Sequence, residues 1–311
     1  MSNNILVYSE LTRNIPELIT AAQKLGNEIA ACVVGSADDA QTIIEHGASK
    51  VYLTEYNKNA PAEAYVTPLV NAAALSGANT IIVSMTPKGR AVAAQAAQIL
   101  NAGCGSECKT IKAGSDGYEF SRAIYGGKAT SFEQCTTELF VATIPQKLFE
   151  ASQRDESSKG EVITIENTFS DYPVQVVDVV PREGDDVDIT AANTVVCFGR
   201  GVAKEEDLPL INDLAEAVGG VVGCTRPISM DFHWLPQERY VGLSGKSVKP
   251  KLFIAVGVSG QIQCLAGAND SKVIVGINKD ESAPVFEYSD YAIVADLYEV
   301  VPALISAIKS L

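Results

Sequence analysis

Residues 257–280, GVSGQIQCLAGANDSKVIVGINKD, have the composition of a turn that could bind a ligand. The segment follows the apolar run LFIAV, carries three glycines within eleven residues, and leads into a second apolar run, VIVGI. Glycine lets backbone amides approach a ligand closely, and a helix that begins near Ser259 would direct its positive N-terminus at a phosphate. The segment could be a phosphate-binding turn, a catalytic loop, or only a tight connection between two buried strands.

Two arginines stand directly after apolar runs that are typical of strands. Arg200 follows TVVCFG, and Arg226 follows GVVGCT. Ligands bind outside the carboxyl ends of the strands in open parallel sheets, so arginines and glycines at those ends indicate an anionic ligand. Either arginine alone could instead form a surface ion pair. The corresponding ends in the first half, such as Ser9-Glu10 and Thr54-Glu55, are more acidic, so the site is predicted in the second half.

Several catalytic motifs are absent from the sequence. It contains neither GxGxxG nor GxxxxGK[ST], and it lacks the GxSxG nucleophile elbow. No acid/base constellation is evident, which favours chemistry that belongs to a cofactor. The seven cysteines lie mostly in apolar runs and are predicted to be buried and reduced. Only Cys104 and Cys108 are close together, and with no histidine nearby they predict no metal site.

Strand-like and helix-like patterns alternate in both halves of the chain. In the first third, ILVYSE, EIAACVVG, KVYLTE and TIIVSM predict buried strands, with helical periodicity between them. After residue 115, GYEFSRAIYGG, KATSFE, LFVATIP and EVITIENTF predict antiparallel strands appended to that sheet. A second alternation, from TVVCFG to the C-terminal helix, predicts another parallel α/β unit.

The predicted organisation is therefore α/β with two domains, each built on a parallel sheet flanked by helices. The acidic, turn-rich stretch PREGDDVDITAAN (residues 181–193) is the boundary candidate, giving domains 1–184 and 185–311. The first would carry the appended antiparallel strands, and the second would be doubly wound.

Composition narrows the possible partners. The 311 residues carry a formal net charge of −14, which would repel phosphate backbones and anionic lipid, so no nucleic-acid partner is expected. No apolar run approaches the ~20 residues that span a bilayer, and the N-terminal MSNNILVYSE lacks the basic start of a signal peptide. We therefore expect no membrane insertion and a cytoplasmic location.

Taken together, these residues resemble the alpha subunit of electron-transfer flavoproteins, most of all its Fix-type branch. The similarity runs through GRGVAKEEDLPLINDLAEAVGGVVGCTRP and from YVGLSGKSVKPKLFIAVG to the final helix, and it covers essentially residues 194–310. The resemblance implies that the C-terminal domain binds FAD. It also implies a heterodimer with a beta subunit that carries electrons and transforms no substrate of its own, so whether the chain counts as an enzyme is left open.

The resemblance also implies which residues contact FAD. Residues 257–263 would line the pyrophosphate and ribityl chain, and Asn278 and Asp296 would serve the adenosine end. Arg226 would lie beside the isoalloxazine and favour its anionic reduced forms, and Ser244 would present its hydroxyl to flavin N5. The full predicted set is Arg200, Thr225, Arg226, Val241, Gly242, Leu243, Ser244, Ser259, Gly260, Gln261, Ile262, Gln263, Cys264, Asn278, Asp296 and Leu297.

The chain departs from the family pattern at two flavin-proximal positions. Leu243-Ser244-Gly245 stands where the family commonly has Gln-Thr-Gly, so an amide is lost and the hydroxyl is kept. IQCLAG stands where the family typically reads IQHLAG, so Cys264 replaces a histidine that donates to the N1/O2 edge of the flavin. A thiol is a weak hydrogen-bond donor and carries no positive charge. The resemblance implies that Arg226, Ser244 and Cys264 are the residues that tune the flavin.

The resemblance predicts electron exchange with an acyl-CoA dehydrogenase-type protein and with a quinone reductase or ferredoxin, in fatty acid or carnitine metabolism. Two alternatives from other classes are an NAD(P)-dependent oxidoreductase and a non-catalytic adenine-nucleotide-binding scaffold. The first would need a glycine-rich fingerprint and a proton donor, and the second would not need Arg226 and Ser244 beside a flavin ring.

Overall fold

The computed structural model describes residues 4–26, 28–114, 117–166, 169, 172–180 and 187–310. The chain forms two compact units, Met1–Val180 and Pro181–Leu311. The predicted domain boundary between residues 184 and 185 lies outside the described residues, so it stays a prediction.

The first unit contains a parallel sheet and a smaller antiparallel sheet. Its described strands are β1 (Asn4–Ser9), β2 (Glu28–Val34), β3 (Lys50–Thr54), β4 (Thr80–Ser84), β5 (Gly103–Gly105), β6 (Thr110–Gly114), β7 (Gly117–Ile124), β8 (Ala129–Cys135), β9 (Phe140–Ile144) and β10 (Glu161–Thr164). The seven-stranded sheet has the order β10-β3-β2-β1-β4-β9-β5 and is parallel throughout. Its central strands read as continuous apolar runs because helices cover both faces.

The helices of the first unit connect these parallel strands. They are α1 (Ile15–Gln23), α2 (Ala37–Glu45), α3 (Val66–Ser76) and α4 (Pro87–Ile99). Local sequence sets their ends. Helix α2 begins with a capping box in which the Ser36 side chain accepts from the Asp39 backbone and Asp39 accepts from the Ser36 backbone. Helix α3 ends at Gly77, whose left-handed φ of 62° suits glycine.

The antiparallel prediction is confirmed for one part of its range and wrong for another. β6, β7 and β8 form a three-stranded antiparallel sheet, so the antiparallel pairing predicted for GYEFSRAIYGG and KATSFE is confirmed. This sheet is separate, so the prediction that these strands extend the parallel sheet is wrong. LFVATIP and EVITIENTF supply β9 and β10, which instead pair in parallel with β4 and β3. All five residues of β9 are buried because it lies inside the sheet, between β4 and β5. Neither strand follows a helix directly, and that missing signal is why the prediction failed.

The second unit is the doubly wound domain that the alternation predicts. Its strands are β11 (Thr194–Phe198), β12 (Val221–Cys224), β13 (Leu252–Val256), β14 (Ile274–Asn278) and β15 (Tyr291–Val294), and its helices are α5 (Leu208–Ala217), α6 (Arg226–Met230), α7 (Ile262–Leu265) and α8 (Leu297–Lys309). All strand pairs are parallel, in the order β12-β11-β13-β14-β15. The chain reverses its winding between β11 and β13, and such a switch point is where doubly wound sheets bind ligands.

Alternating residues of β11 pack into two apolar layers, one on each face of this sheet. Val196 and Phe198 pack in a cluster with residues of α5 and α8, whereas Val195 and Cys197 pack with Phe253 and the region of α7. Fully burying a side chain of this size stabilises the fold by about 1.5–3 kcal/mol relative to exposing it. The rigid sheet edge formed in this way is the platform for the loops at its carboxyl end.

Three expectations from the sequence can be compared with the described residues. All seven cysteines are free, and five of them are buried, with Cys264 intermediate and Cys104 exposed. Among the described residues, no group of three or more histidine, cysteine or acidic side chains is placed to hold a metal ion. None of the described helices is long and apolar enough to cross a lipid bilayer.

Candidate functional site

A cavity of about 860 Å³ opens at the carboxyl end of the second sheet, within the size range of small-molecule and cofactor sites. Every strand of that sheet contributes a loop to it, and a sixth segment around Tyr240 and Ser244 closes one side. The cavity lies across the switch point between β11 and β13, as the strand-end reasoning predicts.

The chemical character of these loops changes along the sheet in its spatial order. Arg226 follows β12 and Arg200 follows β11, the glycine turn at Gly257 follows β13, and Asp280 and Asp296 follow β14 and β15. The β12 and β11 end of the cavity is therefore basic, its middle is lined by backbone, and its other end carries two carboxylates together with Lys279. A long ligand that combines an anionic centre with a hydroxylated end fits this order.

The loops after β11 and β13 touch through their backbones. A Cβ on Gly201 would lie 2.5 Å from Gly257 Cα, and a Cβ on Gly257 would lie 2.8 Å from Gly201 Cα. The Gly201 N–H donates to the Gly257 carbonyl at 3.0 Å, and Gly257 has a left-handed φ of 60°. Only glycine satisfies both the contact and the conformation, so these positions shape the middle of the cavity.

Two hydrogen bonds to carbonyl groups hold the glycine turn in place, and its backbone N–H groups are left unpaired among the described residues. The Val285 N–H donates to the Ser259 carbonyl at 3.1 Å, and the Asn278 side-chain amide donates to the Val258 carbonyl at 2.9 Å. The backbone N–H groups of Ser259, Gly260 and Gln261 have no acceptor among the described residues. Consecutive amides held this way form an anion-binding concavity. The geometry of this turn therefore suits an anionic group.

The helix predicted to begin near Ser259 begins later. α7 runs from Ile262 to Leu265 and is only four residues long. The predicted contribution of a helix N-terminus at Ser259 is therefore wrong, because the chain at residues 259–261 is an extended turn whose own amides provide the donors.

The two arginines are available to a ligand. Arg200 and Arg226 are both exposed at the cavity, and neither has an ionic partner in the part of the chain that the structure describes. In a chain with a formal net charge of −14, two unpaired guanidinium groups form a local positive region. Among the described residues, neither arginine is half of a surface ion pair, which was the alternative interpretation.

Cys264 lines the cavity with its sulfur directed towards the protein. Its Sγ lies 4.0 Å from the Val241 carbonyl oxygen, to which the thiol donates weakly. A hydrogen bond with the Cys197 thiol lowers the pKa of Cys264, and burial acts in the opposite direction. The same hydrogen bond, together with burial, raises the pKa of Cys197. The thiol hydrogen is thus engaged by the protein backbone.

Tyr298 connects two segments that line the cavity, the loop after β11 and the start of α8. Its hydroxyl donates to Asp207 Oδ2 at 2.6 Å and accepts from the Ala203 N–H at 2.9 Å, so the loop after β11 is attached to the start of α8. Asp296 caps α8 by accepting from the Tyr298 N–H at 2.8 Å, and Leu297 is buried beneath it.

Most of the predicted site residues meet at this cavity. Those that line it are Arg200, Thr225, Arg226, Leu243, Ser244, Ser259, Gln261, Gln263, Cys264, Asn278, Asp296 and Leu297. The four that do not line it are Val241, Gly242, Gly260 and Ile262. Val241 is buried in the apolar layer and Gly242 packs on the Tyr240 ring, so both support the site from behind. Gly260 packs on the Val285 backbone, and only its backbone N–H, unpaired among the described residues, is available to a ligand.

The predicted set lacks ten lining residues. Seven of them belong to the strand-end loops that the sequence indicates: Gly199, Gly201, Pro227, Gly257, Val258, Lys279 and Asp280. The other three are Ala203, Tyr240 and Tyr298. None of them is the first residue after a strand, so the rule that located the other loops could not find them. Tyr298 stands two residues after Asp296 in the first turn of α8, which is the one signal that could have indicated it.

The fold and the cavity together define a doubly wound domain that binds an elongated anionic cofactor. Comparison with known proteins makes the class specific. The family described as "Electron transfer flavoprotein FAD-binding domain" matches residues 188–269, and the one described as "Electron transfer flavoprotein domain" matches residues 9–170. Protein FixB of Escherichia coli O157:H7 is 35% identical over 98% of both chains, and so is Protein FixB of Shigella flexneri.

The chain therefore belongs to the electron-transfer flavoprotein alpha-subunit family, and the predicted resemblance is confirmed. Its cofactor is FAD. The structure fits that cofactor, because unpaired amides and two arginines face an elongated cavity that suits a dinucleotide with a charged pyrophosphate. The family match favours neither the NAD(P)-dependent oxidoreductase nor the scaffold alternative.

The first testable consequence concerns Gly260, which has a φ of 82° and no room for a side chain. A Cβ there would lie 2.1 Å from the Val285 backbone nitrogen, so Gly260→Ala must shift the turn that carries the free amides. Overpacking costs about 1–3 kcal/mol, and we expect FAD affinity to fall roughly tenfold or more, since 1.4 kcal/mol is a factor of ten. Equilibrium titration with FAD and a thermal melt measure both effects.

Gly219→Ala is the matched control for that substitution. Gly219 also has a left-handed φ, of 60°, but a Cβ there meets no atom within 4 Å. It should show only the backbone strain of about 1–2 kcal/mol and unchanged FAD affinity. Equal FAD affinities for the two variants would remove the turn at Gly260 from the binding site.

A second consequence concerns Cys264, whose thiol hydrogen is held by Val241. Cys264→His would place a stronger donor at the cavity wall, so the midpoint potential of bound FAD should rise by roughly 60–130 mV, which is one hydrogen bond to a charged group of ~1.5–3 kcal/mol converted at ~59 mV per tenfold change. Cys104→His, at an exposed cysteine that does not line the cavity, should leave the potential unchanged. If Cys264→His folds, binds FAD and has the parent potential, position 264 serves packing alone.

Proposed function

We propose that this chain is the alpha subunit of a heterodimeric electron-transfer flavoprotein, which holds FAD in its C-terminal unit and passes electrons from a dehydrogenase to a downstream acceptor. One observation carries the proposal. The switch-point cavity combines unpaired amides with two unpaired arginines, and most of it lies in residues that match the FAD-binding family.

The order of the loops suggests how FAD lies in the cavity. The glycine turn after β13 is in the middle, so Ser259, Gly260 and Gln261 would bind the pyrophosphate through their amides. Asp296, after the edge strand β15, would accept from the ribose hydroxyls of the adenosine. The isoalloxazine would then lie at the β12 end, beside Arg226.

Three side chains at the β12 end would act on the flavin ring. The Arg226 guanidinium would stabilise negative charge on the reduced ring, and the Ser244 hydroxyl would reach its N5 edge. Cys264 would face the pyrimidine edge without a strong donor, because its hydrogen is directed at Val241. When bound, FAD supplies the electron chemistry, and the protein supplies electrostatics and position.

The exposure of this end supports a shared site. Leu243 is 64% exposed, and Ser244, Gln261 and Gln263 are also exposed, so a ring bound here would be largely open to water. A partner subunit of the beta type would cover it, as the family resemblance implies. The same resemblance is the basis for proposing an acyl-CoA dehydrogenase-type partner and a quinone reductase or ferredoxin as further partners, in fatty acid or carnitine metabolism.

Arg226→Ala tests the position of the ring. Losing a hydrogen bond to a charged group costs about 1.5–3 kcal/mol, so the flavin potential should fall by roughly 60–130 mV at ~59 mV per tenfold change. Arg200→Ala, on the neighbouring strand end, should weaken FAD binding with little change in potential. Spectroelectrochemical titration of both variants separates the two roles, and an unchanged potential in Arg226→Ala would place the ring elsewhere.

The proposed heterodimer predicts that this chain alone holds FAD weakly. Purified by itself it should lose FAD on dilution, whereas co-purification with a beta-type partner should give the visible bands of bound flavin. Counting flavins per alpha chain after gel filtration is the measurement. Tight stoichiometric FAD in the isolated chain would contradict a shared site, and a flavin-free heterodimer would contradict the proposed function.

A further inference from the structure

Residues 240–246 form a closed turn at the β12 end of the cavity. The Lys246 N–H donates to the Tyr240 carbonyl at 2.8 Å, and the Gly242 N–H donates to the Lys246 carbonyl at 3.2 Å. A third bond, from the Leu243 N–H to the Gln263 carbonyl at 2.7 Å, attaches the turn to α7. The turn is therefore a fixed platform that presents Ser244 at the cavity.

The ring of Tyr240 fills the inside of this turn. Tyr240 is only 3% exposed, although Leu243 and Ser244 beside it are exposed. A Cβ on Gly242 would lie 2.9 Å from the Tyr240 ring, and a Cβ on Gly245 would lie 2.6 Å from it. Both glycines make room for the aromatic side chain, so the turn is built around that ring and cannot move independently of it.

The Tyr240 hydroxyl reaches one partner, Ser244 Oγ, at 3.1 Å. The phenol has one hydrogen to donate, and no other acceptor for it is found among the described residues. Either oxygen could donate in this contact. Tyr240 is 3% exposed whereas Ser244 is exposed, so the arrangement in which Tyr240 donates gives the buried phenolic hydrogen a protein acceptor and leaves the exposed serine hydrogen free to donate into the cavity.

We propose that Tyr240 is a positioning residue that commits the Ser244 hydroxyl to act as a hydrogen-bond donor towards the flavin ring. This inference rests on the proposed function, because it requires the ring to lie at the β12 end. A donor aimed at the ring stabilises the negative charge that reduction places there, so the pair raises the flavin potential. Tyr240 acts only through Ser244 and through the shape of the turn.

A double-mutant cycle with Tyr240→Phe and Ser244→Ala tests the coupling in the flavin-loaded heterodimer. Tyr240→Phe keeps the ring and removes the hydroxyl, so the turn should stay folded and the dissociation constant for FAD should stay within about twofold of the parent. The potential should fall by roughly 30–60 mV, which corresponds to a threefold to tenfold change at ~59 mV per tenfold. In the Ser244→Ala background the same substitution should have no further effect.

Two further variants control for general effects of the substitution. Tyr240→Leu removes the ring as well and should lower FAD affinity and the unfolding temperature, which separates the role of the ring from that of the hydroxyl. Tyr291→Phe, at an exposed tyrosine on β15 outside the cavity, should change neither affinity nor potential.

The outcomes distinguish this inference from the proposed function. If Ser244→Ala shifts the potential and Tyr240→Phe does not, or if the two shifts add in the double variant, the coupling is overturned while the flavin position stands. If Ser244→Ala and Arg226→Ala both leave the potential unchanged, the ring does not lie at this end, and the proposed arrangement of FAD fails along with the inference.

Discussion

The close contact between Gly201 and Gly257 is the constraint on which the site depends. Parallel strands β11 and β13 are hydrogen-bonded neighbours, so the loops that leave them must separate or pack backbone against backbone. Two glycines allow the second solution, with the Gly201 N–H donating to the Gly257 carbonyl at 3.0 Å. The chain after Gly257 then turns across the sheet edge with its amides outward. A side chain at either position would force the two loops apart and displace the turn that carries the unpaired amides.

Electrostatics then gives the cavity a direction. The spatial order of the strands separates the two arginines, at the β12 and β11 ends, from Asp280 and Asp296, which stand with Lys279 at the β14 and β15 ends. A dinucleotide with an electron-accepting ring at one end and a ribose at the other would meet the arginines at its ring end and the carboxylates at its ribose end. Because the protein as a whole is acidic, the local positive region also selects where an anion can bind.

Sequence patterns predicted the sheet edge well because parallel strands are continuous apolar runs, and each run ends where a loop begins. That rule found Arg200, Arg226, the glycine turn and Asp296, which all follow strands. It could not find Tyr240, because this residue belongs to a turn that does not directly follow a strand. Family resemblance alone indicates the turn at 241–244. The same dependence on alternation misassigned β9 and β10, whose parallel pairing is decided by tertiary burial.

The hydrogen-bond directions around the β12 end suggest why a cysteine is tolerated at position 264. The Cys197 thiol, the Cys264 thiol and the Val241 carbonyl form a chain that points into the protein, so position 264 presents sulfur and no free hydrogen to the cavity. In the adjacent turn, Tyr240 and Ser244 form a second pair, which directs a hydrogen into the cavity when the phenol donates. A flavin ring at this end would receive its hydrogen bonds from Ser244 and Arg226 and only a polarizable contact from Cys264. Under the proposed arrangement, the serine proton, positioned by a tyrosine that no strand-end rule detects, would replace part of the stabilisation that a histidine at position 264 would otherwise provide.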